Sequence, residues 1–281
     1  MYIGTVQSLW RYPVKSMLGE QLDVASIGPL GIPGDRGYAI RDEQAGEIRG
    51  AKKIPGLLRF SARYREEPTD TTIPPAEITL PDGVIVRTDD PDVHSRLSYT
   101  LGHEVTLWPR QPADNIEHYR RHPRAMEDIQ QLLGLEAGDA LPSFEGFPPD
   151  IFHYVSPLGT YFDAYPLHLL TTTSLRRLTA HYPEGRFVPE RFRPNLVLST
   201  AEDRSEEATW TGKILRLGTV ELLIKVPTIR CVMTTLPQGD LPKDPRILRT
   251  VVQHHSHQAG VYAIVTQPGR VRVGDPVELI A

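Results

Sequence analysis

The sequence predicts a mainly β chain with a few helices, an α+β protein, and three observations carry that reading. Short apolar runs of strand composition recur along it, separated by Gly- and Pro-containing turns. Pro occupies 26 of 281 positions, above the usual ~5%, which favours strand edges and turns over long helices. In the second half the runs are short and closely spaced, as in a small closed barrel and unlike βαβ units. The length suggests two domains at about 150 residues each. We divide the chain into 1–110, a connecting segment 111–150, and 151–281.

In the first part, Ile3 to Trp10 roughly alternates and reads as a strand. Leu22 to Ile27 and Gly37 to Ile40 are short runs bounded by Gly and Pro. Ile78-Thr79-Leu80 and Val84-Ile85-Val86 flank Pro81-Asp82-Gly83, a hairpin with Asp-Gly in its turn. Asp92 to Leu101 predicts a helix with Asp90 or Asp92 near its N-cap, then a strand over Val105 to Trp108. The connecting segment carries one amphipathic stretch, Ala125 to Leu135, ending at Gly134 or Gly138. A second β-rich unit is expected from near Phe152. A helix over Ser174 to Tyr182 is stopped by Pro183. Strands are expected at Leu196 to Leu198, Ile214 to Leu217, Val220 to Val226, Val232 to Thr235, Val261 to Thr266 and Pro276 to Leu279, with turns at Pro268-Gly269 and Gly274-Asp275.

Composition removes several functions. Net charge is −4 and pI about 6.2, without the basic excess of nucleic-acid binders. The chain has one cysteine, so neither an intrachain disulfide nor a four-thiolate iron–sulfur or Cys-rich zinc site fits. No run reaches the ~18 apolar residues of a membrane span, and the N-terminus lacks a signal-peptide core. Cytoplasmic residence without membrane contact is the expectation. Walker-type, dinucleotide-binding, H-E-x-x-H and G-x-S-x-G motifs are missing.

Six polar clusters remain. In Tyr12-Pro13-Val14-Lys15-Ser16, Pro13 keeps the chain extended, so Lys15 and Ser16 stand at a strand end or turn. There they suit a phosphate, or Lys15 is a solvated surface group. Gly34-Asp35-Arg36-Gly37 permits close backbone approach to a ligand that Arg36 would fork, or is a tight turn with an ion pair. Thr171, Thr172, Thr173 and Ser174 open a helix and offer donors to an anion, or simply cap it. Arg193 and Asn195, within Arg191-Phe192-Arg193-Pro194-Asn195, suit a planar hydrogen-bonding ring, or a structural loop. Arg230 beside Cys231 favours the thiolate, or Cys231 is an inert buried hydrophobe. His254, His255 and His257 lack matching further ligands for a metal and read as a loop or polar face.

In this order, Tyr12 to Ser16, Asp35-Arg36, Arg191 to Asn195, Arg230-Cys231, Thr234-Thr235 and Val273-Gly274-Asp275-Pro276 resemble MOSC proteins, over nearly the whole chain. The N-terminal half resembles the β-barrel domain that precedes MOSC in many of them, and the likeness is closest to the amidoxime-reducing group. The resemblance implies an N-terminal barrel-like domain followed by a MOSC β-barrel, and a bound molybdenum cofactor, a molybdopterin. It implies Cys231 as the metal's thiolate ligand and the catalytic position, and Lys15, Ser16 and Arg36 at the cofactor's terminal phosphate. It places Thr171 to Ser174 in a cofactor-contacting segment, Arg193 and Asn195 at the pterin, and Arg230 beside the metal ligand.

Two departures bear on function. Where animal relatives tend to have Ser before Arg-Cys, this chain has Ile229. No ferredoxin-like extension follows Pro276, so an external electron-transfer protein, of ferredoxin or cytochrome type with its reductase, is expected. The activity implied is removal of oxygen from N-hydroxylated compounds. The alternatives are a carrier of sulfur or cofactor that uses Cys231, and a binding module that has lost the metal.

Overall fold

The computed structural model describes residues 1–200 and 207–280. The first half runs β1 (Tyr2–Arg11), β2 (Glu20–Leu22), β3 (Val24–Ile27), β4 (Tyr38–Asp42), β5 (Glu47–Ile48), β6 (Ser61–Tyr64), β7 (Ala76–Thr79), β8 (Ile85–Arg87), α1 (Val93–Leu101) and β9 (Val105–Pro109). The connection holds α2 (Ile116–Tyr119) and α3 (Met126–Leu133), and α4 (Asp150–His153) closes it. Then come β10 (Leu167–Thr171), α5 (Thr172–His181), α6 (Pro189–Phe192), β11 (Leu196–Thr200), β12 (Ile214–Leu217), β13 (Val220–Ile229), α7 (Pro245–His254), β14 (Gln258–Gln267), β15 (Gly269–Arg272) and β16 (Pro276–Ile280).

Seven strands close into a barrel in the order β1, β11, β10, β14, β13, β12, β16 and back to β1. Strict alternation puts every second residue of β13 inside, from Val220 to Thr228. Leu9, Leu169, Leu196, Leu215, Leu222, Val261 and Val277 fill the interior with Trp210. β1, from the far end of the sequence, pairs with β11 on one side and β16 on the other. Gly4 is obligatory there: a Cβ would stand 1.9 Å from the Ser199 carbonyl oxygen. The division at 110 and 150 is thus one of sequence, and β1 crosses it in space.

A second core gathers Val14, Met17, Ile40, Leu58, Phe60, Ile78, Leu97 and Leu107. It lies among two three-stranded sheets, β5-β4-β9 and β6-β7-β8, and α1. The Asp-Gly hairpin forms as expected, with Gly83 at φ 87° and Val84 N–H on the Asp82 carboxylate at 3.0 Å. Gly134, at φ 65°, ends α3. Among the described residues no helix is long and apolar enough to cross a membrane.

Four expectations need correction. Leu22 to Ile27 is not one strand: Asp23 breaks it into β2 and β3, which belong to different sheets. Phe152 lies in α4, and the first strand of the second half is β10. Val232 to Thr235 is a 3₁₀ turn, because the Thr234 and Thr235 hydroxyls bond the Cys231 and Val232 carbonyls at 3.1 and 2.7 Å, a local alternative to a ladder. The histidine run is not one loop: His254 ends α7, His255 caps it, and His257 is buried with Nε2 donating to the Leu133 carbonyl at 2.6 Å.

Candidate functional site

The end of β1, the start of β11 and the end of β13 converge on a knot around Tyr12 and Asp35. Asp35 is buried and accepts three bonds: the Tyr12 N–H at 2.8 Å, Asn195 Nδ2 at 2.9 Å, and Arg36 Nη1. The guanidinium carbons of Arg36 and Arg193 lie 4.6 and 4.2 Å from the Tyr12 ring centroid. One ring therefore orients two guanidiniums. Burial pushes the Tyr12 phenol up, so it stays protonated and donates to the Pro194 carbonyl at 3.2 Å.

The backbone marks the same residues. Outside glycine, positive φ occurs among the described residues at Ser16 (70°), Arg36 (48°), Arg193 (56°), Ser256 and His257. Three of these five are positions the sequence assigned to the cofactor. Left-handed backbone at bulky residues is strained and gathers at functional sites.

Lys15 is not a solvated lysine. Its Nζ donates to the Tyr161 carbonyl at 2.7 Å and to Asp163 Oδ1 at 2.8 Å, with 13% of the side chain exposed. Burial pushes its ammonium pKa down, against the opposing pull of Asp163. The Asp163 side chain is 61% exposed. Partial loss of hydration against the protein raises its pKa, but Lys15, Lys52 and Arg36 outweigh that and hold its carboxyl below the usual range. Ser16 is buried, and its Oγ lies 2.4 Å from where a Cβ on Gly50 would stand, so a side chain at residue 50 would displace that hydroxyl.

Cys231 is a free, half-buried thiol just past β13. Arg230 turns inward: Nη2 donates to the Phe192 carbonyl at 2.7 Å, and its N–H bonds the His257 carbonyl at 2.8 Å. His168 lies near it, 3.5 Å from Nη1, and is held neutral by burial and by that cation. Among the described residues Arg121 Nε, the Thr228 hydroxyl and Gln238 Nε2 are buried without a partner, and so are two donors of the predicted site, Arg230 Nε and Arg193 Nη1. Burial pushes the Arg193 guanidinium down to about 10. Buried donors are normally paired, so these two point at something the fold is built to receive.

Two predicted groups have partners within the chain. Asn195 Oδ1 accepts the His168 N–H at 3.1 Å, and Nδ2 serves Asp35 and the Trp10 carbonyl. It ties the knot to the start of β10. The hydroxyl run also faces inward. Thr171 Oγ1 and Ser174 Oγ donate to the buried Glu207 carboxylate at 2.7 and 2.6 Å, Thr173 bonds Thr200 Oγ1 at 2.8 Å, and Thr172 Oγ1 accepts the Thr200 N–H at 3.2 Å. An anion does stand by the start of α5, but it is the chain's own Glu207. Thr171 also caps α5.

The sequence reading missed Lys52, Asp163, Arg121, Arg124 and Tyr262. They are linked by charge: Lys52 acts on Asp163, Asp163 and Cys231 on Tyr262, and Arg121 and Arg124 on Lys52. No motif spacing marks them. Only Asp163, set between Phe162 and Ala164 in an apolar stretch, offers a signal.

Two family models match. The MOSC domain covers residues 158–278 and the MOSC N-terminal beta barrel domain residues 3–90. By fold and by both matches this is a MOSC-domain protein. Mitochondrial amidoxime reducing component 2 of Rattus norvegicus is 33% identical over 302 residues, 98% of this chain and 83% of the relative. Mitochondrial amidoxime-reducing component 1 is 26% identical in Mus musculus and 25% in Homo sapiens, each over 99% of this chain and 83% of the relative. The chain belongs to the family of the amidoxime-reducing components.

Proposed function

We propose that the chain is a molybdenum-cofactor-dependent reductase that removes oxygen from N-hydroxylated compounds, with electrons from a separate ferredoxin- or cytochrome-type carrier. The observation that carries this reading is a free Cys231 thiol in the company of two buried guanidiniums, each with one idle donor. A pterin dithiolene cofactor ending in a phosphate fits that set. It is rich in acceptors along its length, anionic at one end and soft at the metal. When bound, the group supplies two-electron redox chemistry at a thiolate-ligated metal.

The chain's own residues then divide the work. Cys231 would be the protein's metal ligand, and Arg230 would keep its thiolate charged while offering Nε to the cofactor. Arg193 would offer Nη1 to the pterin. Lys15, Ser16 and Arg36 would hold the phosphate, with Asp35, Tyr12 and Asn195 fixing the direction of Arg36. We place the cofactor across the seam between the parts 1–110 and 151–281, with 111–150 as a covering segment. Cytoplasmic residence is an expectation of this reading that cell fractionation checks.

The test is elemental analysis for molybdenum, with the pterin assayed alongside, on protein made in a host rich in the cofactor. About one metal per chain, with turnover of benzamidoxime on an artificial electron donor, supports the reading. No molybdenum from such a host overturns it. Molybdenum without turnover, together with sulfur transfer from Cys231, would favour the carrier reading, which draws on the same accessible thiol.

A further inference from the structure

Arg11 and Arg191, each 1% exposed, are partnered in opposite ways. Arg11 forms ion pairs with Glu20 at 2.8 Å and Glu67 at 2.7 Å. Arg191 forms none among the described residues and turns its fork to backbone carbonyls instead. Nε donates to Arg186 at 3.1 Å, Nη1 to Thr234 at 3.1 Å and Nη2 to Pro242 at 2.9 Å. A buried cation without a counter-ion is costly, and an apolar side chain of like volume would fill the space as well. What only the guanidinium supplies is a rigid set of donors that reaches three separate stretches of chain at once.

One of those stretches is the turn that carries Cys231. Pro237, Pro242 and Pro245 follow it closely, and proline has no N–H with which to lace such a turn to a ladder. The Thr234 N–H and hydroxyl both bond the Cys231 carbonyl at 3.1 Å. The Thr234 carbonyl that Arg191 grips therefore stands one hydrogen-bonded step from the residue of the thiol. On the other flank, Arg230 Nη2 is held by the Phe192 carbonyl at 2.7 Å. Residues 191 and 192 thus grip the chain on both sides of Cys231, and Arg193, next in line, carries the idle Nη1. All three belong to one short element: α6 opens on Pro189 and closes on Arg193, whose φ of 56° turns the chain away.

We propose that Arg191 is the positioning residue of Cys231: its guanidinium fixes the turn from Cys231 to Thr235, so that the thiol keeps one place beside Arg230. It acts through Thr234. The inference rests on Cys231 being the working group of the proposed function, and it gives a task to the first arginine of Arg191-Phe192-Arg193. Charge alone does not meet that task. A lysine ammonium in the same cavity is a point on a flexible stem and cannot span the three carbonyls.

The experiment uses the full chain, made in a host rich in the cofactor and in one that cannot make it. The sequence has a single cysteine, so alkylation reports on Cys231 alone. In cofactor-free Arg191→Met, amide exchange in the peptide spanning 229–236 and alkylation of Cys231 by iodoacetamide should each quicken by about tenfold, as the turn opens locally. Arg191→Lys should show both changes at reduced size. In the loaded protein, molybdenum per chain should fall several-fold in Arg191→Met. Leu217→Ala, which opens a cavity in the barrel core, lowers stability without touching the turn and should leave exchange and alkylation there at wild-type rates. Wild-type rates in Arg191→Met overturn the proposal. So does an equal quickening in Leu217→Ala, which would make the effect a general loosening. If Arg191→Met does not fold, Arg191→Lys decides: faster exchange and alkylation support the proposal, and unchanged rates reject it. If wild-type protein from the rich host holds no molybdenum, the reductase reading fails, and the cofactor-free chain still decides the role of Arg191.

Discussion

The knot at Glu207 and the knot at Asp35 are built alike and end differently. Each buries a carboxylate and gives it three donors: Thr171, Ser174 and the Gly260 N–H for Glu207, and Tyr12 N–H, Arg36 and Asn195 for Asp35. Around Glu207 the donors are neutral and turn inward, and Thr172 and Thr173 are taken up by Thr200. Around Asp35 the donors include a guanidinium, and a second guanidinium, Arg193, shares the Tyr12 ring but keeps Nη1 idle. The first arrangement finds its partners within the chain, and the second leaves a buried donor without one. Whether buried polar groups find all their partners separates a structural site from a binding one better than the residue types do.

The comparison can be broken or sharpened by substitution. The largest effect is expected on the metal: Cys231→Ala should take molybdenum from about one per chain to nearly none. Its effect on stability should stay within about 1 kcal/mol, since the thiol is half-buried and small. Retained metal in that variant would end the ligand assignment. Next, Glu207→Ala should destabilise by about 3 kcal/mol, lowering Tm by roughly 6–12 °C, by stranding two hydroxyls and an N–H. Its molybdenum content per folded chain should match wild type. A loss of metal there would erase the distinction between the knots.

Asp35→Asn should do both at once. It should cost about 2 kcal/mol, by setting an amide where three donors converge, and loosen cofactor retention through Arg36. Urea melts and metal analysis on the same sample read the two effects. The smallest effect is on pH. Burial and Arg230 hold the folded-state pKa of His168 well below its ordinary 6.5. Below that value the unfolded chain takes up a proton that the folded chain refuses, so stability falls as pH drops, by up to about 1.4 kcal/mol per unit. His168→Gln should flatten that part of a urea stability profile, and an unchanged slope would assign it to another group.

Sequence made legible what local chemistry decides. The Asp82-Gly83 hairpin, the alternation of β13 and the Gly134 stop of α3 each depend on neighbours in the chain. α7 carries local signals of the same kind, with Asp244 as its cap and Pro245 in its first turn. Of the predicted site residues, Arg36 and Arg193 meet on the Tyr12 ring. The errors came from long-range partners: the carboxylate that takes up Ser174 stands 33 residues further along the chain. The atoms that engage Asn195 belong to Trp10, Asp35 and His168, and no spacing rule connects them. Lys52 and Asp163 lack a motif because the charges they act on stand far from them in sequence.

The placement of β1 has a consequence for how the molecule is made. The barrel's first stave to be synthesised has both its neighbours, β11 and β16, in the second half of the chain. Ring closure therefore waits for the last strand, and its contacts span nearly the full length of the polypeptide, the kind that form slowly. Until then the strands that flank the gap are bare edges that invite pairing with other molecules. A fragment cut to the MOSC match, residues 158–278, would carry those edges permanently. It should aggregate, and a separately supplied peptide spanning Tyr2–Arg11 should relieve the aggregation.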